Sequence, residues 1–310
     1  MATDPNRSPA THDGAFALGV ALNVAFVVTE AVFGVIAGST ALLADAAHNL
    51  SDVAGLLLAW GASHLSRRPS SERRTYGWRS STILAALLNA AVLLVVTGGI
   101  AWEAVKRFSA PAQVGGGIVA WVALVGVGIN TATALLFIKG RNTDLNIRGA
   151  YLHMAADAAV SAGVALAGVA ILVTRWLWID PAVTLVIAAV ILAGTWGLLR
   201  ESTNLALHAV PEGIDPKAVE GYLTGLPGVT AVHDVHIWAM STTETALTAH
   251  LVKRDSHDDD AVMAEATRAL HTRFGIEHTT LQWERGPDAC CAQRSCDADE
   301  EARRHSPSAS

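Results

Sequence analysis

Charge is scarce in this sequence. Lys, Arg, Asp and Glu make up 16% of its 310 residues, against roughly 25% in a soluble domain. The shortage is uneven. Between Ser81 and Leu199 long apolar runs are broken only by short polar clusters, while most of the acids lie beyond Arg200. That distribution describes a membrane protein with a soluble tail. A basic excess is also missing. The net charge of -6 and a pI near 6.0 argue against nucleic acid as a partner. Cysteine is scarce, and Cys290, Cys291 and Cys296 all sit in the final polar tail. An odd, clustered set is no disulfide framework, which leaves reduced thiols, metal ligands or incidental residues. The opening MATDPNRSPATHDG has no positive region running into a short apolar core and a cleavage site. Residues 1–15 therefore read as a disordered cytosolic lead and not as a signal peptide.

What is present is hydrophobic length. A helix needs about 20 mostly apolar residues to cross a bilayer. Six segments qualify: Phe16 to Ile36, Ala41 to Ala62, Ser81 to Val105, Val114 to Ile138, Ala150 to Leu172 and Ile179 to Leu199. Asp180-Pro181 suits the start of the sixth, since proline is tolerated in a first helical turn. None alternates as a barrel strand does, so residues 16–200 are expected to form six transmembrane helices. Lys and Arg set the orientation. The loop 63–80 carries Arg67, Arg68, Arg73, Arg74 and Arg79, and the loop 139–149 carries Lys139, Arg141 and Arg148. The opposite side has Lys106, Arg107 and Arg175. The richer loops belong in the cytoplasm, and an even number of spans puts both termini there too. A multi-pass protein of a cell inner membrane fits this pattern.

Past Arg200 the pattern changes. A helix is expected over Pro211 to Leu226 after a cap at Asp215-Pro216. VTAVHDVHIWAM alternates like a strand, and ETALTAHLV and EHTTLQWE read as two more, with an amphipathic helix over Asp258 to Phe274. Residues 208–285 thus form a small α+β domain, and 286–310 a disordered tail containing the cysteines.

Ionisable residues within spans are costly and usually face a bundle interior or an ion path. LLADAAHNLSD places His48 and Asp52 four apart on one helix face, and HMAADAAV repeats the spacing with His153 and Asp157. One such pair could be an interhelical hydrogen bond. Two pairs of the same order in two spans can converge into a tetrahedron of two nitrogens and two oxygens, which Zn²⁺ accepts. Ca²⁺ and Mg²⁺ prefer oxygen alone. Asp45 stays open as a fifth ligand, a helix cap or an acceptor behind a histidine, a part Asn49 could also play. Asn23, Glu30, Asn89 and Asn130 read as interhelical hydrogen-bond formers or cavity-lining groups. Gly163 and Gly168 are expected to allow close helix contact. There is no HExxH and no nucleophile beside the pairs, which counts against a membrane hydrolase.

LLADAAHNLSD, LNIRGAYLHMAADAAVSAG, RRTYGWRS, VHDVHIW, LTAHL and HTTLQWE together resemble the cation diffusion facilitator family, the proton-coupled zinc exporters, from Phe16 to Glu284. The resemblance implies six spans followed by a cytoplasmic ferredoxin-like, metallochaperone-like domain that regulates and dimerises. It implies a homodimer with one transport site per protomer, here His48, Asp52, His153 and Asp157. Zn²⁺ and H⁺ would be the substrates, exchanged by antiport. Manganese-moving relatives usually carry Asp in place of the second-span His, so two histidines match the zinc branch. His233, His250 and Glu284 fall where family members place ligands in the tail domain, with His233 and His250 able to oppose each other on antiparallel strands. His278 is offset and could be a ligand or a dimer-interface group. His236, three residues from His233, should point to the other sheet face, into core or interface. The loop KGRNTDLNIRG lacks the histidines of those members that capture metal there. The competing readings are a zinc sensor that does not transport, and an exporter whose main cargo is Cd²⁺, Co²⁺, Mn²⁺ or Fe²⁺.

Overall fold

Six long helices precede a small sheet domain: α1 (Asp13–Ala37), α2 (Thr40–Ser66), α3 (Ser81–Ser109), α4 (Gly116–Phe137), α5 (Leu145–Thr174), α6 (Ile179–Ala206), then α7 (Pro216–Thr224), β1 (Val229–Ala239), β2 (Thr245–Lys253), α8 (Asp259–Phe274) and β3 (His278–Glu284). The structure, a computed structural model, describes residues 13–110, 112–138, 145–253 and 259–285. Residues 1–12 of the expected lead, the loop residues 139–144 and Cys290, Cys291 and Cys296 lie outside the described residues, whereas residues 13–15, expected to be disordered, form the first turn of α1. Two compact units form, Met1–Trp60 with Ala86–Leu199, and Gly61–Ala85 with Arg200–Ser310.

Among the described residues four helices, α3 to α6, are long and apolar enough to cross a membrane. In α1 the apolar stretch so described is Val24–Ala37. α2 is 27 residues long, but Asp45, His48, Asn49 and Asp52 interrupt its apolar character. The first unit is inverted relative to a soluble protein. Val95, Trp121 and Val173 are each more than 70% exposed, whereas Glu30 and Asp45 are fully buried. An apolar exterior around a polar centre suits lipid as solvent.

Small residues bring the backbones together. A Cβ on Gly168 would lie 2.5 Å from the Ala120 amide nitrogen and 2.9 Å from the Gly116 carbonyl oxygen, so α4 and α5 touch through main chain. Gly163 does not share this role, for nothing lies within 4 Å of a Cβ built there. Gly168→Ala is therefore expected to destabilise the bundle by about 1–3 kcal/mol through overpacking. Gly163→Ala should leave thermal unfolding in detergent unchanged or slightly raised.

The first residues of α2 are held from a distance. Asp180, in the first turn of α6, accepts from the Thr40 amide at 2.8 Å, the Thr40 hydroxyl at 2.7 Å and the Ser39 hydroxyl. It is fully buried, and it satisfies amide donors that a helix start leaves open. Gly38 makes the preceding turn at φ +65, where a Cβ would strike the Gln113 carbonyl oxygen at 2.7 Å.

In the second unit the sheet order is β1-β2-β3, with β1 and β2 antiparallel and β2 and β3 parallel. Asp215 caps α7, accepting from the Lys217 amide at 3.0 Å, with Pro216 in the first turn. The core is one sheet face against the two helices: Val219, Leu223, Ile237, Leu247, Ala249, Leu251, Ala266 and Leu270. β1 bulges. His233 pairs with His250 and His236 with Thr248, so three steps on β1 match two on β2, and Asp234 takes up the excess at φ 53. The bulge overturns the strict alternation expected for His236. It lies on the same face as His233, away from the helices, and its side chain is 64% exposed instead of being core.

Candidate metal centres

The first centre is built on helical periodicity. His48 and Asp52 lie on one face of α2, and His153 and Asp157 on one face of α5. Their tips meet as an alternating ring of nitrogen and oxygen. His48 Nε2 is 3.8 Å from Asp52 Oδ2 and 3.6 Å from Asp157 Oδ1. His153 Nε2 is 3.3 Å from Asp52 Oδ2 and 3.7 Å from Asp157 Oδ2. Ligands at about 2.0–2.1 Å from a tetrahedral metal stand about 3.3–3.4 Å from each other. The edges of the ring are near that spacing, while across it the two imidazole centroids stand 6.2 Å apart, and the donor atoms that all lie within 4.8 Å of one another are those of His48, Asp52 and Asp157. Its acceptors are also uncommitted: Asp52 Oδ2 and Asp157 Oδ2 are buried without a hydrogen-bond donor. The four residues singled out in the two spans come together, and the donor set fits a divalent ion that takes imidazole and carboxylate.

The residues around it are arranged differently from expectation. Asp45 is well inside α2, so it is no cap, and it accepts from the Ser161 hydroxyl at 3.1 Å. Asn49 donates to Glu30 Oε2 at 3.4 Å. His48 Nδ1 has no hydrogen-bond partner, so neither residue holds that ring. Asn130 is buried as well, with its amide nitrogen unpartnered. Ser161, four residues beyond Asp157 on α5, was visible in sequence only as another small residue.

The second centre lies on the sheet face away from the helices. Because β1 and β2 run antiparallel in the register given, His233 and His250 oppose each other, their rings 5.3 Å apart. Glu284, at the end of β3, joins both. Its Oε2 is 2.8 Å from His233 Nε2 and its Oε1 2.7 Å from His250 Nδ1. One donor atom from each of the three lies within 4.8 Å of the others, close enough to share a metal ion. The bulge also brings Asp234 beside the trio, against the His250 nitrogen that faces away from Glu284, a placement that spacing could not reveal. Asp234 Oδ1 is 3.0 Å from His236 Nε2, and its Oδ2 3.8 Å from His250 Nε2.

His278 stays apart from that trio. Its Nε2 lies 2.7 Å from the Arg79 guanidinium, which can only donate, so this ring nitrogen accepts. Arg79 also pairs with Glu244 at 2.6 Å. Beside it, Ser80 donates to the Met240 carbonyl at 3.2 Å and Thr82 accepts from the Thr242 amide at 3.1 Å. The basic loop before α3 is therefore fastened to the β1–β2 turn.

Residues 16–205 match the cation efflux transmembrane domain, and residues 211–286 match the cation efflux protein cytoplasmic domain. The chain belongs to the cation efflux, or cation diffusion facilitator, family. As a cation efflux protein it is a multi-pass membrane transporter with a cytoplasmic C-terminal domain, and not an enzyme. It is 36% identical over 293 residues to the zinc transporter ZitB of Escherichia coli, covering 94% of this chain and 92% of that one. It is 35% identical over 280 residues to the metal cation efflux system protein CzcD of Cupriavidus metallidurans, covering 90% and 89%. It is 32% identical over 267 residues to the cadmium, cobalt and zinc/H(+)-K(+) antiporter of Bacillus subtilis, covering 84% and 85%. The boundary between the two cation efflux matches falls where α6 ends at Ala206.

Proposed function

We infer that this chain is a Zn²⁺/H⁺ antiporter that moves zinc out of the cytoplasm. The observation that carries this is the ring of His48, Asp52, His153 and Asp157 at 3.3 to 3.8 Å. Two neutral imidazoles and two carboxylates cancel the charge of one divalent cation. A neutral assembly is what a low-dielectric bundle tolerates, because an unpaired buried charge is costly. The names of the relatives support the cargo, since one is a zinc transporter and another exchanges zinc for H⁺ and K⁺.

The cycle follows from ligand chemistry. A cavity open to the cytoplasm admits Zn²⁺, and the four side chains replace its water. Binding requires deprotonated ligands, so protons leave as the metal enters. Imidazole ordinarily changes charge near about pH 6.5. Proton uptake at the ring from an acidic exterior therefore opposes the metal and releases it. The protonated site then returns inward, by rocking of six spans α1 to α6 around a fixed site. The test is metal uptake into sealed inverted vesicles with and without a proton gradient. Uptake that follows the gradient supports antiport, and zinc binding without any uptake would establish the sensor reading instead.

In the same proposal residues 208–285 form a cytoplasmic ferredoxin-like domain that pairs the chain into a homodimer. His233, His250 and Glu284 hold a regulatory zinc there, with both termini cytoplasmic in an inner membrane. Glu284→Gln removes the anion that bridges the two histidines. The bound zinc of the purified full chain, measured by elemental analysis after dialysis, is expected to fall by about one ion per protomer, because an open metal site needs at least three protein ligands. Uptake by the vesicles should persist, since the membrane ring is intact.

A further inference from the structure

Two buried carboxyls lie beside the membrane ring and belong to neither centre. Glu30 of α1 and Asp45 of α2 are both fully buried. Asn49, four residues after Asp45 on the same face of α2, donates to Glu30 at 3.4 Å, so the two acids occupy one buried layer. Two carboxylates so placed, with no cation between them, repel each other, and a proton on one of them relieves this. Glu30 Oε1 and Asp45 Oδ1 find no donor elsewhere. The remaining oxygens have one weak donor each, the Asn49 amide at 3.4 Å to Glu30 and the Ser161 hydroxyl at 3.1 Å to Asp45. Among the described residues no lysine or arginine pairs with either acid. The titratable groups facing the pair are His48 of α2 and Asp157 of α5.

The pair forms a layer of its own. Asp45 precedes His48 by three residues, about 4.5 Å along α2, and Ser161 follows Asp157 by four, about 6 Å along α5. Asp45 and Ser161 touch, so both helices place this layer one turn from the ring, toward the N-terminal end of α2. In the orientation of the proposed function that is the extracytoplasmic side.

We propose that Glu30 and Asp45 form a counter-ion site that holds one proton when the ring is empty and gives it up when the ring takes a metal. This rests on the antiport reading of the chain. The balance is simple. A divalent cation entering the ring from the cytoplasm expels the shared proton to the cytoplasm, leaving two carboxylates. When the metal departs outward, one proton from the exterior restores the pair. No ligand changes place. The pair acts through charge, because two negative charges one turn away hold the metal more tightly than one does. Each cycle thereby carries one proton inward on the pair, beyond those exchanged at the ring itself.

The test uses the full-length chain in which Glu284→Gln has removed the cytoplasmic centre. Protons released per Zn²⁺ bound are counted by calorimetry in buffers of different ionisation enthalpy. Glu30→Gln fixes the pair at one negative charge and lets the amide donate to Asp45. The expected result is a loss of about one released proton per metal and a flatter pH dependence of affinity. Zinc–zinc exchange across vesicles should remain while gradient-driven uptake falls. Asp45→Asn should give the same loss, and the double variant no more than either, which keeps the inference testable if one variant folds poorly. An unchanged proton count in the single variants would overturn it. So would loss of zinc binding at every pH, which would make the pair metal ligands. If the parent chain itself releases no protons on binding zinc, the antiport reading fails and this inference with it.

Discussion

Asp157→Asn is expected to abolish gradient-driven zinc uptake into sealed vesicles and to weaken binding at the membrane ring by more than about 100-fold. Substitution of residues that merely orient metal ligands already costs about 10–100-fold, and Asp157 stands within the ring itself. It is the most enclosed of the four, with a side chain only 3% exposed, and its two oxygens face both histidines, at 3.6 and 3.7 Å. Asparagine keeps the shape and removes the charge. The ring then offers one carboxylate to a divalent ion, and the uncompensated positive charge must be held in a low-dielectric bundle. His153 has more access to its surroundings, with its side chain 44% exposed, so His153→Ala should weaken binding less than Asp157→Asn. Equal melting temperatures for variant and parent would assign the loss to the site. Full uptake by a folded Asp157→Asn protein would remove the ring from the transport path.

How legible these centres are in sequence depends on how many elements build them. The membrane ring needs only two helices, and each carries its pair at the one spacing that shares a helix face. His48 with Asp52 and His153 with Asp157 could therefore be read directly, because helical periodicity is rigid. The trio on the sheet needs three strands. The positions of His233, His250 and Glu284 came from family likeness, and the pairing of His233 with His250 depends on a register that no local spacing dictates. Strand periodicity also failed where a bulge intervened. Asp234 adopts φ 53, moves His236 to the face expected to be opposite, and brings its own carboxylate beside His250. Nothing in HDVHIW marks that insertion.

Long-range partners were the least legible. Asp180 could be recognised as a helix start beside Pro181, yet its carboxylate caps α2, about 140 residues earlier in the chain. In sequence Glu30 read as a hydrogen-bond former or cavity-lining group and Asp45 as a fifth ligand, a cap or an acceptor behind a histidine, with nothing to mark the two as neighbours. Only the packing of α1 on the rest of the bundle makes them a pair. The spans show a related limit. α2 contains the ring's first half, and those same polar residues keep it out of the set of helices apolar enough to qualify as spans. The chemistry that makes a transport helix useful lowers its hydropathy signal.

His48→Asp is expected to shift the metal preference away from zinc. The ring would change from two nitrogens and two oxygens to one nitrogen and three oxygens. Imidazole suits Zn²⁺, whereas carboxylate and water suit Mn²⁺ and other hard ions. The aspartate side chain is also shorter than histidine by roughly the width of a bonded atom. At position 48 it leaves a gap toward Asp157, now 3.6 Å from the imidazole nitrogen, that a water molecule can fill. An octahedral ion that keeps water ligands tolerates this better than a tetrahedral one. The ratio of zinc to manganese affinity should therefore drop by about tenfold or more, which is about 1.4 kcal/mol. Competition between the two ions for uptake into the same vesicles measures it. The matching change His153→Asp should act in the same direction, since it too replaces a ring nitrogen by a carboxylate oxygen. A zinc preference that survives both substitutions would show that the imidazoles do not select the cargo, and that selection lies in the two carboxylates and the size of the cavity between α2 and α5.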